Sequence, residues 1–179
     1  MQRPADLPFR YDARTIALHW AVAALVIALW CLGQSIDWFP KGTPRVSARS
    51  LHIVLGAVLV PLLLARIAWR LRGGVRLPDA AHDRAQSLAS AGHVLLYLLL
   101  VVAVLLGIAN AWVRGDSIFQ LFSIPKFDPD NQGLREQVED LHALAVNILI
   151  GVAAAHAALA VYHHRVLRDG VLRRMLRAR

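Results

Sequence analysis

The chain has 179 residues, 57% of them hydrophobic, and a formal net charge of +8. The apolar residues fall in long runs, so the composition predicts an integral membrane protein of one domain and leaves no soluble catalytic domain. The single cysteine, Cys31, excludes an intrachain disulfide.

Four apolar runs are long enough to cross a bilayer as helices, at about residues 15–36, 51–71, 88–112 and 141–164. The first run, TIALHWAVAALVIALWCLGQSI, has no small-residue cleavage site, so we expect a retained helix and not a signal peptide. The expected fold class is therefore all-α, a four-helix bundle in the membrane.

Charge sets the expected orientation of this bundle. Of the 20 Lys and Arg residues, fourteen fall on the side of the N-terminus and six fall in the two opposite loops. This positive-inside pattern predicts that both termini are cytoplasmic in a bacterial inner membrane. We expect the basic C-terminal stretch VLRDGVLRRMLRAR to contact lipid headgroups and not nucleic acid.

The first two helices carry ionisable side chains at membrane depth, which are costly and therefore indicate function. His19 lies about one turn inside the inner boundary, and His52 lies near the outer face because the second helix runs back. Gly56, one turn after His52, would let a flat ring approach the backbone. Arg66 lies near the inner boundary, where it either binds an acidic group of a cofactor or extends to the inner headgroups.

The third helix carries His93 with Tyr97 one turn further along, near the inner boundary. We expect His82, in the inner loop before it, to be solvated. The following outer segment, VRGDSIFQLFSIPKFDPDNQG, is apolar enough to lie at the membrane surface, with a lid over a pocket as the alternative.

The fourth helix carries His142 and His156, fourteen residues apart. That spacing turns a helix through about 1400°, close to a whole number of turns, and rises about 21 Å. Both imidazoles therefore point into the same side of a bundle near opposite membrane faces. Small residues between them permit close helix packing or the approach of a flat cofactor. We expect His163 and His164 to be solvated or to contact headgroups.

Depth sorts the histidines into two pairs, His19 with His156 near the inner face and His52 with His142 near the outer face. Two such layers predict two haem b groups, each with histidine on both sides of the iron. No CxxCH motif is present for covalent attachment, and both methionines lie outside the predicted spans.

His93 is a third imidazole in the inner layer. It either replaces His19 as a ligand or, as we expect, lies beside the inner haem as a hydrogen-bond donor to a propionate or to a quinone carbonyl. In the quinone case Tyr97 and Arg14 are the further candidates for the quinone site. Arg66 is a candidate for pairing with a propionate of that haem.

The histidine motifs together resemble those of the bacterial cytochrome b561 family. They are ALHW with His19, SLHIVLG with His52, AGHVLLY with His93, DLHALA with His142 and AAHAALAVYHH with His156. The resemblance implies a four-helix di-haem b protein whose first and second helices each pair with the fourth. The resemblance to the compact members of this family further implies an activity, the oxidation of superoxide at the periplasmic face with reduction of ubiquinone.

Lys41, Arg45 and Arg49 form a basic outer segment that leads to His52. Such a patch would steer a small anion such as superoxide toward the outer haem, although lipid headgroups or haem propionates are alternative partners. A second hypothesis is an electron-transfer subunit for a periplasmic dehydrogenase or cytochrome partner. A third, a divalent-metal transporter, needs acidic or thiolate ligands in the membrane, and the predicted spans contain no Asp or Glu.

Overall fold

The computed structural model describes residues 11–73, 83–169 and 171–176. It contains four long helices: α1 (Ala13–Ser35), α2 (Thr43–Arg72), α3 (Asp83–Arg114) and α4 (Gln132–Tyr162). His82 and the terminal and loop arginines Arg3, Arg10, Arg76, Arg177 and Arg179 lie outside the described residues.

All four helices are long and apolar enough to cross a membrane, which confirms the predicted bundle. α1 packs against α2 and α3 packs against α4, giving two helical hairpins. The core between them consists of buried aliphatic side chains: Val22, Leu29, Leu59, Leu63, Leu100, Ala103 and Leu149.

Two helices begin earlier than their hydropathy predicts. α2 begins at Thr43, with Pro44 in its first turn, and not near residue 51. α4 begins at Gln132, where the side chain of Asn131 accepts a hydrogen bond from the N–H of Leu134, and not near residue 141. Hydropathy identifies only the part of a helix that crosses the apolar layer. The predicted spans therefore leave out the polar turns at the outer ends of these two helices.

The outer segment after α3 contains a small antiparallel hairpin of β1 (Ser117–Ile118) and β2 (Phe122–Ser123). Phe119 and Gln120 connect the strands with φ values of 49° and 60°. Two consecutive left-handed residues form the turn type that matches the twist of a hairpin. The sequence analysis did not predict this hairpin because the turn lacks its usual glycine or asparagine.

Ser50 fastens the hairpin to α2. Its side chain is completely buried, and its hydroxyl accepts a hydrogen bond from the N–H of Phe119 at 2.8 Å. The same oxygen lies 2.7 Å from the carbonyl of Val46 and 3.0 Å from that of Ser117. The outer segment is thus attached to the helix two residues before His52.

The C-terminal segment folds back under the bundle. A π-helical turn, His163–Leu167, follows α4, and a short 3₁₀ helix, Leu172–Met175, comes after it. The indole of Trp20 donates a hydrogen bond to the carbonyl of Met175 at 2.9 Å. His163 pairs with Asp169, while the buried Nδ1 of His164 has no hydrogen-bond partner.

Candidate functional site

The outer layer of the bundle contains the two histidines that depth had paired. The rings of His52 on α2 and His142 on α4 face each other with centroids 6.4 Å apart and planes at 89°. The Nδ1 atoms of both rings are buried and make no hydrogen bond of ordinary geometry. Such buried, unpaired ring nitrogens are costly unless the imidazoles serve a further purpose.

This separation fits two ligands on one metal ion. With a metal–nitrogen bond of about 2 Å and about 1 Å from nitrogen to ring centre, two axial imidazoles have centroids about 6 Å apart. His52 and His142 meet that distance from two different helical hairpins. The donor set and the spacing therefore fit a haem iron.

A glycine of a neighbouring helix lies against each outer imidazole. A Cβ added to Gly33 on α1 would come within 3.2 Å of Cε1 of His52. A Cβ added to Gly107 on α3 would come within 3.1 Å of Cε1 of His142. Both distances are shorter than ordinary van der Waals contact, so a side chain at either position would require the ring to move by a few tenths of an ångström.

The inner layer holds three imidazoles. The ring of His93 on α3 lies edge-on to that of His156 on α4, with centroids 5.2 Å apart. His19 on α1 interacts electrostatically with both of them and with Arg66. The 5.2 Å separation is roughly 1 Å shorter than an iron between two imidazoles requires, so His93 lies beside His156 and not across a metal from it.

Arg66 and Tyr97 are joined in the inner layer. The Nε of Arg66 donates a hydrogen bond to the hydroxyl of Tyr97 at 2.8 Å, and its guanidinium lies 5.4 Å from the centre of that ring. The side chain of Arg14 stacks on Trp69, 4.9 Å from its ring centre. Trp69 in turn donates to Asp12 at 3.1 Å. The structure therefore brings Arg66, Tyr97 and His93 into one layer and places Arg14 against a tryptophan.

All four helices repeat the spacing of fourteen residues. The pairs are His19 and Gly33 on α1, His52 and Arg66 on α2, His93 and Gly107 on α3, and His142 and His156 on α4. The sequence analysis used this spacing on α4 but missed it on α1 and α3, where one partner is a glycine. Searching for the same period on every helix would have found Gly33 and Gly107.

A polar contact lies between the two layers. The indole of Trp30 on α1 donates a hydrogen bond to Oδ1 of Asn147 on α4 at 3.1 Å. Trp30 is eleven residues after His19, on nearly the same helical face and three turns nearer the outer side. This bond links the two helical hairpins at mid-membrane depth, and sequence reasoning missed it.

The outer basic residues have acidic or carbonyl partners. Arg45 donates to the carbonyls of Phe39 and Asp37 and pairs with the Asp37 carboxylate at 3.3 Å, so it closes the loop between α1 and α2. Arg49 lies 3.5 Å from Asp116, and Lys41 is exposed. These pairings reduce the positive field that the sequence alone predicts at this face.

Asp116 is the centre of a buried charge cluster at the outer end of α3. Arg114 lies 3.6 Å from Asp116 and also pairs with Glu139. The side chains of Arg114 and Asp116 are each only 10% exposed. Burial raises the pKa of Asp116 above 3.8, and the arginines beside it oppose this shift.

Helices that carry facing imidazoles in two layers of a membrane bundle define a class of protein, the haem b electron carriers. The chain belongs to the prokaryotic cytochrome b561 family, whose model matches residues 10–178. It is therefore a membrane electron-transfer protein for which the family implies haem b. This finding confirms the resemblance found in the histidine motifs.

Similar proteins cover almost the whole chain. Cytochrome b561 homolog 1 of Escherichia coli is 30% identical over 173 residues, which are 93% of this chain and 97% of the relative. Probable superoxide oxidase CybB of Yersinia pestis is 29% identical, covering 93% of this chain and 96% of its own. Cytochrome b562 of Cereibacter sphaeroides is 29% identical, with 94% and 96% covered.

Proposed function

We propose that this protein binds two haem b groups and passes electrons from superoxide at the periplasmic side to ubiquinone. His52 and His142 would hold the outer haem, and the 6.4 Å separation of their rings is the observation that carries the proposal. His19 and His156 would hold the inner haem, with Arg66 next to it as a partner for a propionate.

The choice of His19 over His93 for the inner haem rests on geometry. The His93 ring lies edge-on to that of His156 at 5.2 Å, which leaves no room for an iron between them. The Nδ1 of His19 is buried without a hydrogen-bond partner, as in both outer ligands. His164, beyond the end of α4, has the same feature, so the 5.2 Å separation of His93 and His156 carries the choice.

Bound haem would supply one-electron transfer between the two layers. Two superoxide anions each lose one electron and leave as O₂, while ubiquinone takes up two electrons and two protons to become ubiquinol. His93 would hydrogen-bond the quinone head and exchange protons with the inner water, and the hydroxyl of Tyr97, which accepts a hydrogen bond from Arg66, would hold a quinone oxygen. Arg14, stacked on Trp69, would border this pocket.

On the outer side, the exposed Lys41 and the half-buried Arg49 would attract superoxide locally, whereas Arg45 would support the loop. The similarity to probable superoxide oxidase CybB of Yersinia pestis supports superoxide as the donor. The positive-inside pattern of the sequence supports placement of both termini in the cytoplasm. Exposed aliphatic side chains along the helices would face membrane lipid.

A second candidate function is electron transfer from a periplasmic redox partner. Apolar side chains are prominent around the outer hairpin, where Leu121 is 83% and Phe122 is 62% exposed. Trp38, in the loop between α1 and α2, is 83% exposed. Exposed aromatic residues are common at the centre of protein interfaces. A partner docked there would lie next to the outer layer.

The test uses purified protein in liposomes that contain ubiquinone. Superoxide should cause ubiquinol formation at two superoxide consumed per ubiquinol, and superoxide dismutase should abolish it. The same haem protein reduced only by periplasmic extract, with no response to superoxide, would contradict superoxide as donor and favour the docked partner. Superoxide-dependent haem reduction without ubiquinol would contradict the quinone assignment.

A further inference from the structure

The glycines of α1 and α3 suggest how the outer histidines are held. Gly33 lies fourteen residues after His19, and Gly107 lies fourteen residues after His93. Both glycines are therefore at the outer end of the helical face that carries an imidazole at the inner end. In the outer layer, each position holds the smallest residue next to an imidazole from the adjacent helix.

The two contacts have the same form. An added Cβ at Gly33 would lie 3.2 Å from Cε1 and 3.5 Å from Nδ1 of His52. An added Cβ at Gly107 would lie 3.1 Å from Cε1 and 3.6 Å from Nδ1 of His142. In both cases Cε1 is the ring atom nearest the glycine, and Nε2 of His142 lies 3.8 Å from the added Cβ, almost as near as Nδ1.

We propose that Gly33 and Gly107 are positioning residues for the two outer haem ligands. Each glycine lets an imidazole lie against the backbone of the adjacent helix, and this packing holds the ring in one position and orientation toward the iron that it would bind. This inference rests on the proposed function, because it assumes that His52 and His142 bind iron.

The proposal predicts a local effect of one methyl group. In Gly33→Ala or Gly107→Ala the ring must move by a few tenths of an ångström away from the helix. A displaced axial ring binds the iron in a changed orientation, so the ferric resonance and the midpoint potential of the outer haem should shift while those of the inner haem stay unchanged.

The experiment compares Gly33→Ala and Gly107→Ala with Gly151→Ala, using full-length purified protein. Gly151 is the matched control, because a Cβ there meets nothing within 4 Å and it lies on the opposite face of α4 from His142. The measurements are pyridine haemochrome content, potentiometric titration of both haems, and the low-spin ferric resonance of each haem. Retention of the inner haem in the same sample shows that the variant is folded.

In both test variants we expect a shifted outer haem potential and a changed outer ferric resonance, or loss of the outer haem alone. Gly151→Ala should match the wild type. Unchanged outer potential and resonance in both variants would contradict the proposal. Loss of both haems, or of the folded protein, would also contradict it, because the glycines would then serve general helix packing.

His52→Ala separates failure of this inference from failure of the proposed function. If His52→Ala removes one haem while both glycine variants are unchanged, only the positioning role is wrong. If His52→Ala retains the haem content of the wild type, the ligand assignment itself is wrong.

Discussion

The outer and inner layers of the bundle use matched positions on the same four helices but different side chains. The outer layer consists of two histidines and two glycines: Gly33, His52, Gly107 and His142. The inner layer consists of three histidines and an arginine: His19, Arg66, His93 and His156. The spacing on each helix is identical, so the helical framework alone does not cause the difference.

The proposed function assigns different tasks to the two layers. In the outer layer each imidazole has a glycine backbone behind it, which suits the proposed haem site. The inner layer has one imidazole more than a haem can bind, and Arg66 bonds Tyr97 there at 2.8 Å. Titratable and hydrogen-bonding groups beyond the ligand pair suit a layer that also handles a quinone and its protons.

The largest expected effect is loss of a single layer's haem. His142→Ala should remove the outer haem and leave the inner one, roughly halving the haem content, because a low-spin b haem needs both axial ligands. Haemochrome quantitation and low-temperature spectra measure this, with His164→Ala as a control that keeps both haems. Loss of the inner haem alone would show that the layers are wrongly paired.

Substitution of His93 distinguishes haem ligation from quinone binding within the inner layer. His93→Ala should keep both haems and lower ubiquinone reduction about tenfold, equivalent to about 1.4 kcal/mol for one lost hydrogen bond. His19→Ala should instead remove the inner haem. For both variants the measurements are the haem content and the rate at which the chemically reduced enzyme reduces quinone. If His93→Ala loses a haem and His19→Ala does not, their assignments are exchanged.

Tyr97→Phe tests the polar pair of the inner layer. The change removes the hydroxyl that accepts from Arg66 and should raise the apparent KM for ubiquinone several-fold without loss of haem. Tyr162→Phe is the control, because Tyr162 is 50% exposed near the end of α4. Equal kinetics in wild type and Tyr97→Phe would exclude this hydroxyl from the quinone site.

Ser50→Ala should loosen the outer hairpin without emptying either layer. It leaves the N–H of Phe119 without its acceptor, which costs about 1–3 kcal/mol when the group stays buried. Thermal unfolding in detergent should show a lower Tm with unchanged haem content. Ser123→Ala, an exposed serine of the same hairpin, should leave the Tm unchanged, and equal effects of both changes would argue against the anchor.

The smallest effect concerns the pH dependence of the outer charge cluster. Because the pKa of Asp116 is raised on folding, the folded state retains its proton at a pH where the unfolded chain has lost it. Stability relative to Asp116→Asn should therefore fall as the pH rises from 3.8 through the raised pKa, and stay low above it. A Tm difference that grows in favour of the wild type over this range would contradict the prediction.

Much of the fold could be predicted from the sequence, because a long apolar run crosses a membrane as a helix. The outer pair, His52 and His142, also followed, because fourteen residues fix both depth and facing on α4. The sequence did not decide between His19 and His93 as the partner of His156, because both lie at the same depth. Only the packing shows that His93 lies edge-on to His156.

Other features depend on contacts that no local pattern encodes. The turn at Phe119 and Gln120 lacks the residues that usually mark a left-handed conformation, and Ser50 holds it from a distant helix. Glycine is common in membrane helices, so Gly33 and Gly107 do not stand out until a neighbouring ring is seen against them.

The most direct test of the account is the haem content of the purified wild-type protein, measured by pyridine haemochrome against protein concentration. Two bis-histidine layers predict about two b haems per chain, both low-spin, with distinct bands in the reduced-minus-oxidised spectrum. One haem per chain would contradict the two-layer account, and no haem would contradict the assignment of these histidines as iron ligands.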